Sequence, residues 1–313
     1  MAFTSDGPGS PLFAPLALRV EGETATGGSA GVSDGLRGAL AGAPRGEHAF
    51  RGIPFVLGEP LVVTGRSTRV NVERTEARWL VFLHVADSVP LEAGPDGLVS
   101  PMRGEGRLGE RLCTYRVRYG DGTDTVLPVR GRFHVGSFTR RWGENCFEAV
   151  PHRKPRTVRP PHEQLRGEWG SSQTRVRAGD EEGALFWLWA WENPRSGAPI
   201  VAIDLEPGTI PVALLGVSAG SVSTHPLRWG TRRKALLTLP PGVSFPFDVD
   251  DGGQLVGIRL DLGQVISAQR RPLYPDGRWE ESFNNEVPAV SQTEVIVEYT
   301  AHPEAVFHVG GPA

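Results

Sequence analysis

The sequence predicts an all-β protein built from two β-sandwich units. Three observations lead there. Glycine (40) and proline (27) together exceed a fifth of the 313 residues, which favours many turns over long helices. No segment sustains a 3.6-residue apolar period over eleven positions, so no helical domain is expected. Several short runs instead alternate, or are apolar throughout, and end at glycine or proline.

Taken in order, residues 1–31 form an N-terminal extension with one strand, "PLALRVEG". A first sandwich is expected over 32–221. It opens with "HAFRGIPFVLG", an alternating run broken by Pro54 that suits an edge strand. "STRVNVER" puts Val70 and Val72 on one face. "ARWLVFLHVADS" is nearly all apolar, as a central strand covered on both sides would be. "LCTYRVRYGDGTDTVLPVRG" is the plainest local signal. Tyr115, Val117 and Tyr119 alternate with Thr114, Arg116 and Arg118, and Asp121-Gly122 is expected to supply positive-φ turn positions for a β-hairpin.

The regular pattern then fails over 132–182. Within that stretch "HRKPRTVRPPHEQLRG" is a basic, proline-rich loop carrying Arg153, Lys154, Arg156, Arg159 and Arg166. A solvated loop is its default reading, and an anionic polymer such as an acidic polysaccharide is the functional one. "GALFWLWAWENP", "PIVAIDLEPG" and "PVALLGVSAG" follow as three strands of an expected meander. After a boundary near residue 222, "KALLTLP", "QLVGIRLDLGQVISAQRRPLY" and "TEVIVEYTAHPEAVFHV" are the strands of a second sandwich over 222–313.

Composition narrows the functional classes. A net charge of −3 gives no strong field for nucleic acid or anionic membrane, so neither is expected as a partner. No apolar run is long enough for a membrane-spanning helix. The N-terminus lacks the basic and apolar regions of a secretory signal, which gives a cytoplasmic expectation. Cys113 and Cys146, the only two cysteines, read as free buried thiols rather than a disulfide framework. G-x-S-x-G, H-E-x-x-H, paired C-x-x-C and the P-loop pattern are all missing, and the eight histidines are dispersed.

The order of "FRGIPFVLG", "LVFLHVAD", "YRVRYGDGT…LPV" and "WAWENPRSGAPIVAIDLEP…PVALLGVSAG" resembles accessory β-sandwich modules of large bacterial proteins, many of them carbohydrate-active. The resemblance covers roughly 32–220. It implies a jelly-roll fold similar to galactose-binding-like domains, and a non-catalytic carbohydrate-binding or accessory role with an oligo- or polysaccharide as partner. Two alternatives stand beside it. One is a glycoside-active enzyme or enzyme subunit with carboxylates in a groove between sandwiches. The other is a scaffold that binds another protein.

Trp187, Trp189 and Trp191 recur at every second position and therefore share one strand face. Leu188 and Ala190 make the opposite face apolar too, so a core layer outweighs a sugar platform, with Trp191 the most accessible ring because it borders the "ENP" turn. The expected ligand site lies at a sandwich end. It combines Trp142 and Glu144, from "TRRWGENCF", with Trp191, Glu192 and Asn193. No catalytic residue is assigned. No cofactor is expected, although β-sandwich sugar modules often carry a structural calcium. Asp248, Asp250 and Asp251 of "DVDDGG" offer hard oxygen ligands for one, with an exposed acidic turn as the default.

Overall fold

The structure, a computed structural model, describes residues 6–21, 31–88, 93–99, 108–139, 145–155, 157, 183–250, 253–274 and 289–309. The chain divides into two compact units. The first comprises Met1–Arg153 and Glu181–Leu227; the second comprises Lys154–Asp180 and Arg228–Ala313.

The strands of the first unit are β1 (Phe13–Pro15), β2 (Arg19–Val20), β3 (Gly46–Phe50), β4 (Ile53–Leu57), β5 (Leu61–Val63), β6 (Thr68–Thr75) and β7 (Trp79–Ala86), then β8 (Arg111–Tyr119), β9 (Asp124–Arg130), β10 (Val150–Pro151), β11 (Trp187–Glu192), β12 (Ile200–Pro207) and β13 (Val212–Gly220). One sheet has the order β1-β13-β7-β11-β10, with β5 also on β13; the other has β2-β6-β12-β8-β9. All their ladders are antiparallel. Pairing is nested: β5 with β13, β6 with β12, β7 with β11, and β8 with β9. First pairs with last, second with second-to-last, and so inward, which is the jelly-roll topology. The first strand position is shared, because β1 and β5 lie on opposite ends of the same β13 edge.

This corrects the expected meander. β11 and β13 lie in one sheet, separated by β7, while β12 lies in the other. Each turn therefore carries the chain across the sandwich. β12 fits there because it buries Ile203 and Leu205 on one face and presents Asp204 and Glu206 on the other.

β7 is buried at all eight positions, as its apolar run predicts for a central strand. Leu80, Phe82 and Ala86 join the core between the sheets, facing Tyr115 and Val117 of β8 and Ile203 and Leu205 of β12. The tryptophan row enters the same layer. Trp187 and Trp189 are 2% and 4% exposed, and half-buried Trp191 packs against the cluster. The Trp187 indole N–H donates to Ser137 O (2.9 Å). Its ring lies so close to Gly136 that an added Cβ there would come within 2.4 Å of it.

The 112–131 hairpin forms as β8 and β9. Its turn differs in detail from the expected pair of positive-φ residues. Gly122 alone has positive φ (85°), Gly122 N–H bonds Tyr119 O (3.0 Å), and Tyr119 N–H bonds Thr123 O (3.0 Å). That is a type I turn closed by a glycine bulge, which leaves Asp121 in ordinary backbone space.

One short helix, α1 (Asp34–Ala41), escapes the sequence pattern. Ser33 caps it: its hydroxyl accepts the Leu36 N–H (3.0 Å), while its own backbone N–H donates to Asp87 at the end of β7 (2.8 Å).

The second unit is a smaller β structure. β14 (Arg233–Thr238), β16 (Gly263–Leu273) and β17 (Ala289–Ala301) form a sheet of order β14-β17-β16; β15 (Ile258–Leu260) pairs with β18 (Phe307–Val309). Ile258, Leu260, Val265, Ala268, Val295 and Val297 share its core. Lys154, expected in a solvated loop, is buried here, and its ammonium donates to Leu260 O (2.6 Å) and Asp261 O (3.0 Å). Arg156, Arg159 and Arg166 lie outside the described residues.

Trp187→Ala is expected to lower unfolding free energy by about 3–5 kcal/mol, the range for deleting a large buried aromatic. Urea denaturation checks it; a midpoint equal to the parent's contradicts the inward placement of the row.

Candidate functional site

The two ends of β11 differ in what they offer. At the C-terminal end stands the "ENP" turn. Asn193 is buried and all its polar atoms are engaged. Its carbonyl oxygen accepts from the Tyr119 hydroxyl (2.7 Å) and Arg195 N–H (3.0 Å); its amide donates to Ala77 O (2.9 Å) and Arg195 O (3.2 Å). Glu192 pairs with Arg78 (3.1 Å). Arg195 lies over the Tyr119 ring (4.7 Å) and donates to Asp121 (2.6 Å). The hydrogen bonds from Arg195 and Thr123 hold the Asp121 carboxyl well below the usual carboxylate range. Asn193 thus acts as a clamp that ties the β11–β12 turn to the β8–β9 hairpin, and it has no group left for a ligand.

The N-terminal end of β11 meets the segment that follows β9. Trp142 and Glu144 lie outside the described residues, as does Asp251. The base of their segment is described. Arg132 O accepts the Phe147 N–H (3.0 Å), and Phe133 O accepts the N–H groups of Glu148 (3.0 Å) and Ala149 (2.9 Å). These bonds bring Phe147, which is 64% exposed, against Phe133 with ring centroids 4.9 Å apart. His134 follows Phe133, and its Nε2 lies 3.4 Å from the Glu148 carboxylate. The His134 ring of this base stacks on Trp189, within β11.

The core holds this turn in place. Arg132 takes a positive φ of 61°, and its N–H donates to Val135 O (2.8 Å), so the chain reverses sharply after β9. His84 of β7, fully buried, reaches the turn from the interior. Its Nε2 meets His134 O at 2.9 Å and its Nδ1 meets the Tyr115 hydroxyl at 3.1 Å. A carbonyl can only accept, which assigns the His84 proton to Nε2 and makes Nδ1 the acceptor of the Tyr115 O–H. Trp189 stacks on the His134 ring at 4.4 Å. Burial holds His84 neutral, pushing its pKa down to about 3 against the opposing hydrogen bond to His134 O. His152 is likewise driven to about 3, first by burial and then by the charge of Arg153.

The acidic groups on the outer face of the second sheet have a different task. Glu206, Arg116, Asp124, Arg118, Asp204 and Arg69 alternate in one ribbon across β12, β8, β9 and β6, with contacts of 2.7–3.2 Å. Burial alone would raise the Asp204 carboxyl, but the bonds and charges of Arg69 and Arg118 outweigh it and hold it low. Each of these carboxylates faces arginine rather than a second carboxylate, unlike the pair that glycoside hydrolysis uses.

Among the described residues, no three His, Cys, Asp or Glu side chains gather to hold a metal ion. Asp250, one of the expected calcium ligands, accepts the Gln254 N–H (3.0 Å) and pairs with Arg259 (2.9 Å). Asp248 is described and lies outside any such group. Cys113 and Cys146 are both free thiols, the first buried and the second half-buried. Also among the described residues, no helix is long and apolar enough to cross a membrane.

Phe133, His134, Phe147 and Glu148 were missed from sequence. The two phenylalanines are fourteen positions apart and meet only through backbone bonds at the segment's base. "CFEAV", which begins four positions after Trp142, is the available signal.

The buried histidines make stability fall with acid. Unfolded His84 and His152 take up protons near pH 6.5, whereas the folded groups resist until about pH 3. Unfolding therefore takes up protons in this window, and stability, full above pH 6.5, is lost on the way down. The expected slope approaches roughly 2.7 kcal/mol per pH unit for two such groups. Urea titrations at pH 7.5, 6.5 and 5.5 measure it; equal unfolding free energies across the series contradict it.

The chain matches no known protein family, no curated protein and no solved structure.

Proposed function

We propose that the chain is a non-catalytic carbohydrate-binding module of galactose-binding-like type, and that its first unit binds saccharide on the Phe133–Phe147 pair. One observation carries this reading: Phe147 is an exposed ring fixed against a second ring, and Glu148, the next residue, has a half-exposed carboxylate. Phenyl faces attract the C–H face of a sugar ring, and Glu148 accepts hydrogen bonds from its hydroxyls. Apolar surface with a few placed polar groups is the usual make-up of a small-ligand site. The turn bearing Phe133 is anchored by a part-buried hydrogen bond at His134, so the platform exists before the ligand arrives. The jelly-roll frame supports the reading only by analogy, since one fold hosts many functions.

A platform this small implies weak binding, with Kd on the order of 0.1–1 mM for a short oligosaccharide, or about −4 to −5.5 kcal/mol. Calorimetric titration against neutral and acidic oligosaccharides tests it. Phe147→Ala is expected to weaken binding about tenfold, or roughly 1.4 kcal/mol, with the melting temperature unchanged because the ring is exposed. No heat with any glycan ends the reading, and undiminished binding by the variant removes this site. Release of smaller sugars from any glycan would favour an enzyme instead.

A further inference from the structure

We infer that His134 is a proton-operated gate on Glu148: neutral, it leaves the carboxylate to hydroxyl-bearing ligands beside Phe147; protonated, it draws the carboxylate into an ion pair. The inference rests on the saccharide reading for its ligand, but the gate itself is readable without one.

The geometry around the ring suits two protonation states without refolding. Nδ1 stands between a donor and an acceptor, the Arg130 N–H at 3.1 Å and Pro128 O at 3.0 Å. In the neutral ring, Nδ1 accepts from Arg130 and the proton sits on Nε2. In the charged ring, Nδ1–H donates to Pro128 O instead. Nε2 lies 3.4 Å from Glu148, longer than a hydrogen bond, so the neutral ring leaves the carboxylate unbonded and an added charge acts directly on it. The ring itself cannot swing away, because Trp189 stacks on one face and its backbone carbonyl accepts from His84.

The other groups set the balance. Burial is the largest influence and favours the neutral ring; Arg130 at the end of β9 opposes protonation, and Glu148 favours it. His84 from β7 stays neutral at physiological pH, and Tyr115 of β8, reached through His84, stays protonated because burial raises its pKa. Glu148 is therefore the acidic partner whose freedom changes when the ring titrates. It has 45% of its side chain exposed and follows Phe147, the most exposed of the described phenylalanines, in the chain. An ion pair with protonated His134 removes acceptor capacity from the side chain that would bind sugar hydroxyls. Linkage requires the reverse as well: a ligand that engages Glu148 must lower the proton affinity of His134 by the same factor.

The test follows the His134 imidazole and Phe147 ring resonances by NMR from pH 4 to 8, in the parent protein, Glu148→Gln and His134→Gln. Glycan calorimetry is run on either side of the His134 midpoint read from the parent. In Glu148→Gln the His134 midpoint is expected to fall by about 0.5–1 pH unit, the effect of losing an opposite charge at this range. Phe147 signals should follow the His134 midpoint in the parent and be pH-independent in His134→Gln. Glycan affinity should drop about three- to tenfold below the His134 midpoint, matching that shift by linkage, and the drop should vanish in Glu148→Gln. An unchanged His134 midpoint in Glu148→Gln overturns the gate, as does glycan binding that is level across that midpoint. If the midpoint moves and Phe147 follows it but no glycan binds, the gate stands and the saccharide reading fails.

Discussion

The first unit is organised around a histidine that must remain neutral. His84 sits on the central strand β7, between two sheets, with no exposed surface. An imidazolium there would lose its hydration with no carboxylate among its hydrogen-bond partners, which is why burial forces its pKa to about 3. The neutral ring has one donor and one acceptor, and both are used. Tyr115 comes from the opposite sheet and donates; the carbonyl of His134 belongs to the turn after β9 and accepts. One side chain therefore joins the two sheets and fixes the turn that carries Phe133 and His134. The stacked rings of Phe82, Trp189 and His134 extend that column from the core to the surface.

The two ends of the sandwich follow from how polar groups are spent. At the "ENP" end, Asn193, Tyr119, Arg195 and Asp121 satisfy one another, and the clamp joins two turns that lie 74 residues apart in the chain. A closed network of this kind rigidifies but presents little to a ligand. At the other end, polar satisfaction is achieved below the surface, through backbone bonds and His84. The side chains above, Phe147 and Glu148, are left facing solvent. The outer face of the second sheet is different again, since its charges are matched in a ribbon from Glu206 to Arg69.

Much of the frame was legible in the sequence, because its signals are local. The β7 run, the β8–β9 hairpin and the inward tryptophans follow from period-2 patterning and from strands with two apolar faces. What was missed depends on distant partners. The order of strands in each sheet cannot be read from three consecutive strands when β7 inserts between two of them. α1 is short, contains Gly35 and Gly38, and is fixed by a cap that binds Asp87, 54 residues away. Asn193 reads in the sequence as an open turn residue, but Tyr119 and Ala77 occupy its side chain. The Phe133–Phe147 contact needs the backbone closure after β9, which no spacing rule announces. Lys154 belonged to an apparently solvated basic run, yet carbonyls near the end of β15 receive it.

Tyr115→Phe tests the anchoring role of His84 most directly, because it removes one hydroxyl and keeps the ring that packs on Phe82. His84 Nδ1 would then be a buried acceptor without its donor. Unfolding free energy should fall by about 1–3 kcal/mol, the cost of stranding such a group. The backbone resonances of 132–135 should shift with it, since the His84 ring no longer holds a fixed orientation toward His134 O. Unchanged stability together with unchanged resonances in that turn would show that His84 does not hold the site.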